Sequence, residues 1–222
     1  MQSKADGLTI FSLYTEAPFS TRFFLFLRLL LTPYSKMAAE LPKSGQILDQ
    51  GCGHGLFSLK LAFASKDRKV LGVDHDVTRV NLASQTAKQI SNLEFQTGSL
   101  LTENKAFANC FEGVALIDVL HYFTKEEQLS ILKNSHSMLK SGGVVIFREV
   151  NPDAGIVSKI NFFWEKLATL SKFTKSDNEV KLAFRLPHDW ENLLREAGFK
   201  NVTSKSCSSF IFADVLFRGE KQ

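Results

Sequence analysis

The stretch Ile47-Leu48-Asp49-Gln50-Gly51-Cys52-Gly53-His54-Gly55-Leu56-Phe57 decides the fold. A short apolar run ends in a carboxylate, glycines follow at alternate positions, and Leu56, Leu59 and Phe63 then take up helical spacing. That order predicts a strand, a tight turn and a helix running from His54 to about Ser65. Backbone amides at such a turn point outward beside a helix N-terminus, which suits a ligand with anionic or polar groups. Glycine is needed where φ is positive or where a ligand approaches the backbone closely. The turn is therefore a candidate cofactor loop.

The same alternation extends outward. Strands are expected at 46–50, 69–74, 93–96, 111–117 and 144–147. Asp76 is placed to cap a helix carrying Val77, Val80, Ala83, Ala87 and Ile90, and Thr124 with Glu127 forms a capping box before Leu129, Leu132, His136 and Leu139. Ser141-Gly142-Gly143 is expected to stop that second helix. Apolar strands alternating with helices imply a parallel sheet covered on both faces. After a helix carrying Trp190, Leu193, Leu194 and Ala197, two strands at about 202–206 and 210–217 are close enough in sequence to pair as an antiparallel hairpin. The expected architecture is α/β: a doubly wound, mostly parallel seven-stranded sheet with a C-terminal antiparallel hairpin. Residues 45–222 make up this domain. Residues 151–185 form a helical cap insertion with Ile156, Ile160, Phe163, Leu167 and Leu170 on one face, followed by a polar loop at 171–181.

Residues 1–44 form a helical lid or arm, of which 1–20 have no clear period. Arg22 to Leu31 is apolar apart from its arginines and ends at Thr32-Pro33. A bilayer span needs about 20 apolar residues, so this segment is too short to cross. As a helix it places Phe23, Phe26, Leu27, Leu30 and Leu31 on one face, with Phe24, Leu25 and Leu29 elsewhere. Such a helix packs on the domain, closes over a substrate or touches a lipid surface. Thr32 is placed to cap a short helix that starts at Pro33.

A chain of 222 residues suffices for one well-packed domain with a small cap. The net charge of +4 is mild and its lysines and arginines are scattered, which argues against nucleic acid or an anionic membrane as the main partner. Cys52, Cys110 and Cys207 lack metal-ligand spacing, so neither a metal site nor a disulfide framework is expected, and a reducing, cytoplasmic setting is the simpler reading. The 20 phenylalanines fit either an aromatic core or a pocket for an apolar substrate.

A dinucleotide fingerprint would place the third glycine one position later than Gly55. Leu48 to Gly55 instead resembles the signature of class I S-adenosylmethionine-dependent methyltransferases. The resemblance continues through Val70 to Asp74, Phe111 to Tyr122 and Leu139 to Gly143, and through Trp190 to Phe199, which is similar to that family's W-x-x-L-L-x-x-A-G-F segment. It implies a methyltransferase that uses S-adenosylmethionine and acts on a small molecule. Asp49 would face the donor's ammonium, and Gly51, Cys52 and Gly53 its methionine moiety. Asp74 would accept from the ribose diol, and His75 would lie against adenine. Ser99 and Leu100 would contact the adenine edge, where many relatives carry an aspartate, and Asp118 would lie near the methionine end.

His121, after the fourth strand, is the best general-base candidate, ahead of Glu149 and His188. The residues from Ile117 to Tyr122 contain no proline and so lack the loop by which base-amino methylases hold a planar amine, and no paired-glutamate loop is present for a guanidinium. A small apolar or aromatic, or lipid-like, acceptor is the expectation. The alternatives are a lipid- or membrane-associated protein of the same fold and, behind it, a nicotinamide-dependent oxidoreductase.

Overall fold

The computed structural model describes residues 7–153, 182–207 and 213–222. Seven strands form one sheet: β1 (Gly45–Gln50), β2 (Arg68–Asp74), β3 (Leu93–Thr97), β4 (Phe111–Ile117), β5 (Leu139–Val150), β6 (Lys200–Ser206) and β7 (Asp214–Glu220). Their order is β3-β2-β1-β4-β5-β7-β6. The first five are parallel, while β7 runs antiparallel to both β5 and β6. The strand order reverses between β1 and β4, so the ends of these two strands open the crevice where such sheets take ligands.

Side-chain alternation along the strands builds two cores. Ile47, Ala115, Ile117 and Ile146 point to one face, covered by α1 (Gly7–Ser12), α2 (Phe19–Leu31), α3 (Tyr34–Ala38), α4 (Leu56–Ala64) and α5 (Val77–Thr86). Leu48, Val114, Leu116, Val145 and Phe147 point to the other, under α6 (Lys125–Met138) and α7 (Pro187–Glu196). Both faces of the central strands are buried, which is why those strands read as continuous apolar runs. The expected doubly wound sheet and antiparallel C-terminal pair are present. Asp76 caps α5 by accepting from the amides of Thr78 and Arg79, and Thr124 and Glu127 form the capping box of α6.

Three local expectations are corrected. The glycines at 142 and 143 do not end α6: the helix stops at Met138 and β5 begins at once at Leu139, with a register break opposite Phe111–Gly113 and Gly142 donating to the Lys221 carbonyl. Thr32 does not cap α3; its amide closes α2 by donating to the Arg28 carbonyl, and α3 begins after Pro33 without a side-chain cap. Residues 7–17 are more than an arm, since Ile10 and Tyr14 are fully buried.

The two faces expected of α2 are both present. The helix buries Leu25, with Phe24 and Leu29 packed beside it, whereas Phe23, Phe26 and Leu30 face outward. An all-round apolar helix has no face that periodicity can select. The inward side is set by what the helix reaches on the domain, namely His54 through Phe24 and Asp118 through Arg28. The insertion positions Ile156, Ile160, Phe163, Leu167 and Leu170, the loop at 171–181 and the first residues of the strand expected from Phe210 lie outside the described residues.

Candidate cofactor and acceptor site

The glycine turn leaves β1 at Gln50 and enters α4 after Gly55, which holds φ +85° at the N-cap. The amides of Gly51 and Cys52 both donate to the Val73 carbonyl, at 2.7 and 3.1 Å, fastening the turn to β2. Gly51 and Gly53 both have positive φ, but their surroundings differ. A Cβ on Gly51 would lie 2.5 Å from the Val119 Cγ2, so this glycine exists to let the segment after β4 pack against the turn. A Cβ on Gly53 would meet nothing within 4 Å. Gly53 therefore borders open space at the end of the sheet.

Carboxylates flank that space. Asp74, at the end of β2, is buried and accepts from the Gly53 amide at 2.8 Å and from the Asp76 amide at 2.9 Å. Each carboxylate oxygen retains lone-pair capacity for a diol. Asp49 is buried under the turn and accepts from the Ser58 hydroxyl at 2.5 Å. Burial pushes its carboxyl up from 3.8 to about 7; nearby Asp74 adds to the rise, and the Ser58 hydrogen bond opposes it. A cation placed beside this pair would relieve both effects. The Cys52 thiol is pushed up by burial and by these two carboxylates, so it is no nucleophile. His75 stands exposed with Nδ1 3.4 Å from Asp74. Ser99, also exposed, accepts from the Leu101 amide at 3.2 Å, and Leu100 is buried behind it.

The N-terminal segment reaches this turn. The Tyr14 hydroxyl donates to the His54 carbonyl at 2.6 Å, and the Phe24 ring lies 6.3 Å from the His54 ring. Burial, reinforced by Arg79, lowers the His54 imidazole to about 4 and keeps it neutral.

Asp118 follows β4 with φ +55° and is engaged by guanidiniums on two sides. Arg148 of β5 donates to both its oxygens, at 2.7 and 2.6 Å, and Arg28 of α2 lies 2.9 Å away. Arg148 also faces Asp214 of β7 at 3.3 Å. Burial would raise the Asp118 carboxyl, but Arg148 and Arg28 outweigh it and hold the group below its usual value. Asp214 is pushed up to about 7 by burial, against the pull of Arg148. Asp118 thus ties α2 to the sheet, and its carboxylate is committed to those arginines.

His121 is buried, three residues beyond Asp118. Its Nδ1 lies 2.8 Å from Oε2 of Glu149, whose Oε1 accepts from the Leu120 and His121 amides at 2.8 and 3.3 Å. The ring stacks on Phe184 at 5.4 Å and leans on Tyr122 at 4.2 Å. Gln128 of α6 fixes this corner by donating to the carbonyls of Leu120, Phe123 and Ala183. His188, by contrast, is exposed beside Asp189 at the start of α7.

Ser58, Arg148, Gln128 and Tyr14 were not foreseen. A signal existed for Arg148, a charge inside an otherwise apolar strand, and for Arg28, the interruption of an apolar run. Ser58, Gln128 and Tyr14 gave none, because none of them stands out from its local pattern and the partner of each lies in another segment of the fold. Among the described residues no helix is long and apolar enough to cross a membrane.

Comparison with known proteins agrees with this geometry. A family model described as a methyltransferase domain matches residues 47–143. The chain is 28% identical over 178 residues to erythromycin 3''-O-methyltransferase of Saccharopolyspora erythraea, covering 76% of this chain and 55% of that protein. It is 25% identical over 169 residues to a tRNA N(3)-methylcytidine methyltransferase of Schizosaccharomyces pombe, covering 71% and 65%. The chain thus spans between about half and two thirds of these relatives. An O-methyltransferase family protein from Burkholderia thailandensis superposes with a TM-score of 0.70 at 19% identity, over 98% of this chain and 64% of that one. Matched segment, sheet order and glycine turn converge: residues 47–143 match a methyltransferase domain, and the chain is similar to the class I S-adenosylmethionine-dependent methyltransferases.

Proposed function

We propose that this protein transfers a methyl group from S-adenosylmethionine to a small, apolar or aromatic acceptor. The observation that carries the donor half is Gly53, whose open face borders space while its amide is held by the Asp74 carboxylate. The donor is a cation with an ammonium, a carboxylate and a diol, and this residue set fits each group. Asp49 would face the ammonium, and the backbone of Gly51, Cys52 and Gly53 the methionine moiety. Asp74 takes the ribose in this reading, with His75, Ser99 and Leu100 around adenine. Asp118 contributes through its backbone and by fixing α2, since its carboxylate is already paired. The donor supplies an electrophilic methyl carbon, so the protein need only align the acceptor, exclude water and take up a proton where one must leave.

The acceptor half rests on the aromatic surroundings of the sheet edge. Phe24 lies over the turn, and Phe184 and Tyr122 flank His121, the candidate base. Residues 1–44 act as a lid in this reading, together with a cap from 151–185, and the protein works in the cytoplasm. Calorimetry tests the donor half: absent binding of S-adenosylmethionine, or undiminished binding by Asp74→Ala, would refute it.

Two second readings have specific support. The tRNA-modifying relative favours an RNA acceptor, against the scattered charge; tritium transfer from labelled donor to total tRNA would establish it. The outward Phe23, Phe26 and Leu30 favour peripheral membrane contact. Liposome flotation lost on Phe26→Asp and Leu30→Asp would establish that.

A further inference from the structure

We propose that the outer face of α2 seats this protein on an anionic membrane surface, and that the methyl acceptor is an amphiphile drawn from that membrane, with an apolar tail and a polar, reactive head. The acceptor half rests on the methyl-transfer reading above; the seating does not. Among the described residues, five of the seven large apolar side chains left exposed lie on two neighbouring helices: Leu8 on α1, and Phe19, Phe23, Phe26 and Leu30 on α2. At about 100° per residue, the four on α2 fall within roughly 60° of arc. They form a straight stripe along a helix about 20 Å long. Phe11 of α1 packs edge-on against Phe26 at 5.5 Å, which brings Leu8, one turn earlier, alongside the stripe.

A contiguous apolar patch of this kind marks a contact surface, and its size and charge decide which. The three rings are 85%, 56% and 39% exposed. At about 150–250 Å² a ring, that leaves roughly 270–450 Å² of apolar surface. Counting both leucines as if they were rings keeps the patch under about 800 Å², the area each partner gives to a standard dimer. A lipid surface sets no such threshold, because binding to it grows with each apolar side chain that enters. Charge agrees. The lysines and arginines of the whole chain are scattered, but between Glu16 and Glu40 the sequence holds Arg22, Arg28 and Lys36 and no acidic residue. Asp118 neutralises Arg28. Arg22, over the Phe11 ring at 5.3 Å, and exposed Lys36 on α3 are left to meet anionic head groups. The helix is too short to cross a bilayer, so it lies along the surface.

The inner side of the same helix borders the donor site. Phe24 lies 6.3 Å from the ring of His54, the residue after open-faced Gly53, and Arg28 reaches Asp118 at 2.9 Å. Lipid and donor site are therefore about one helix diameter apart, roughly 10–12 Å. An acceptor can span that distance with its tail still in the bilayer and its head at the site. The transfer balances as for any acceptor: a lone pair on the head group takes the methyl carbon, the S–CH3 bonding pair stays on sulfur, and a proton on the accepting atom passes to water.

The test floats the full chain with phosphatidylcholine vesicles, with and without phosphatidylglycerol. Wild type is expected to float with the anionic vesicles, and roughly tenfold less with the neutral ones or when it carries Phe23→Asp and Leu30→Asp together. Both positions are exposed, so the double variant should keep the wild-type melting temperature. Phe23→Leu with Leu30→Phe, which keeps the stripe apolar, should float as wild type does. No flotation of wild type, or flotation that survives the two aspartates, overturns the proposal. So does a wild-type dimer in sedimentation that the aspartates split, because a second copy is then the occupant. For the acceptor, tritiated S-adenosylmethionine is supplied with vesicles of a total cellular lipid extract. Label should enter the extracted lipid with wild type and fall roughly tenfold with the double variant. Unlabelled lipid with wild type overturns the acceptor class. Failure to bind S-adenosylmethionine in calorimetry would instead strike the methyl-donor reading, and flotation would still decide the seating.

Discussion

The glycine turn predicts opposite phenotypes for two substitutions two residues apart. Gly51→Ala must adopt φ +74° and place a Cβ 2.5 Å from the Val119 Cγ2. The left-handed backbone costs about 1–2 kcal/mol for an L-residue. Carbon atoms prefer separations of about 3.5–4.0 Å, so Val119 must give by roughly 1 Å, an overpacking that costs about 1–3 kcal/mol. The total is about 2–5 kcal/mol. Gly53→Ala has φ +54° but meets nothing within 4 Å, so only the backbone penalty of about 1–2 kcal/mol applies. At roughly 2–4 °C per kcal/mol for a chain of this size, Gly51→Ala should melt about 4–20 °C below wild type and Gly53→Ala about 2–8 °C below. Binding should reverse the ranking. The new methyl of Gly53→Ala enters the space assigned to the donor, and calorimetry with S-adenosylmethionine should show at least a tenfold loss, about 1.4 kcal/mol. Val119→Ala added to Gly51→Ala should recover the overpacking share of the stability loss. Equal destabilisation by the two single variants, or wild-type affinity in Gly53→Ala, would refute the reasoning.

Other consequences are equally direct. Arg148→Met leaves Asp118 and Asp214 buried without their main counter-charge, and urea unfolding should show a loss of about 3–5 kcal/mol. Leu25→Ala on the buried side of α2 should cost about 2–5 kcal/mol, while Phe23→Ser on its outer side should stay within about 0.5 kcal/mol; equal losses would invert the face assignment. Asp49 and Asp214 both have carboxyls raised to about 7 by burial, so the folded state binds more protons than the unfolded one. Their stabilisation is full below the ordinary value of 3.8 and is lost as pH rises through about 7, and Asp49→Asn should flatten part of that slope in melts across the window. For the same reason, binding of cationic S-adenosylmethionine near pH 6 should release a proton, visible as a buffer-dependent heat.

The sheet was legible because its signals are local. The ends of β1, β2 and β4 are marked by an apolar run meeting a carboxylate, at Asp49, Asp74 and Asp118, and Asp76 and Thr124 cap helices through neighbours two or three positions away. The end of α6 was misjudged because Ser141-Gly142-Gly143 carries a helix-stop pattern, while the pairing of Leu139 with Phe111 draws the chain into β5 before that pattern can act. The two faces of α2 were legible from its period, but which of them turns inward was not, because an all-round apolar helix has no preferred side until it meets the domain.

By itself the sequence determined the succession of strands and helices, the glycine turn and the carboxylates beside it, since all of these follow from residues within a few positions of one another. Only the tertiary structure decided which glycine faces open space, that Asp118 belongs to arginines from α2 and β5, and that Glu149 grips His121 from 28 positions away. Those contacts join strands and helices far apart in the chain. Periodicity encodes which face of an element is buried, but not which distant side chain it will meet there.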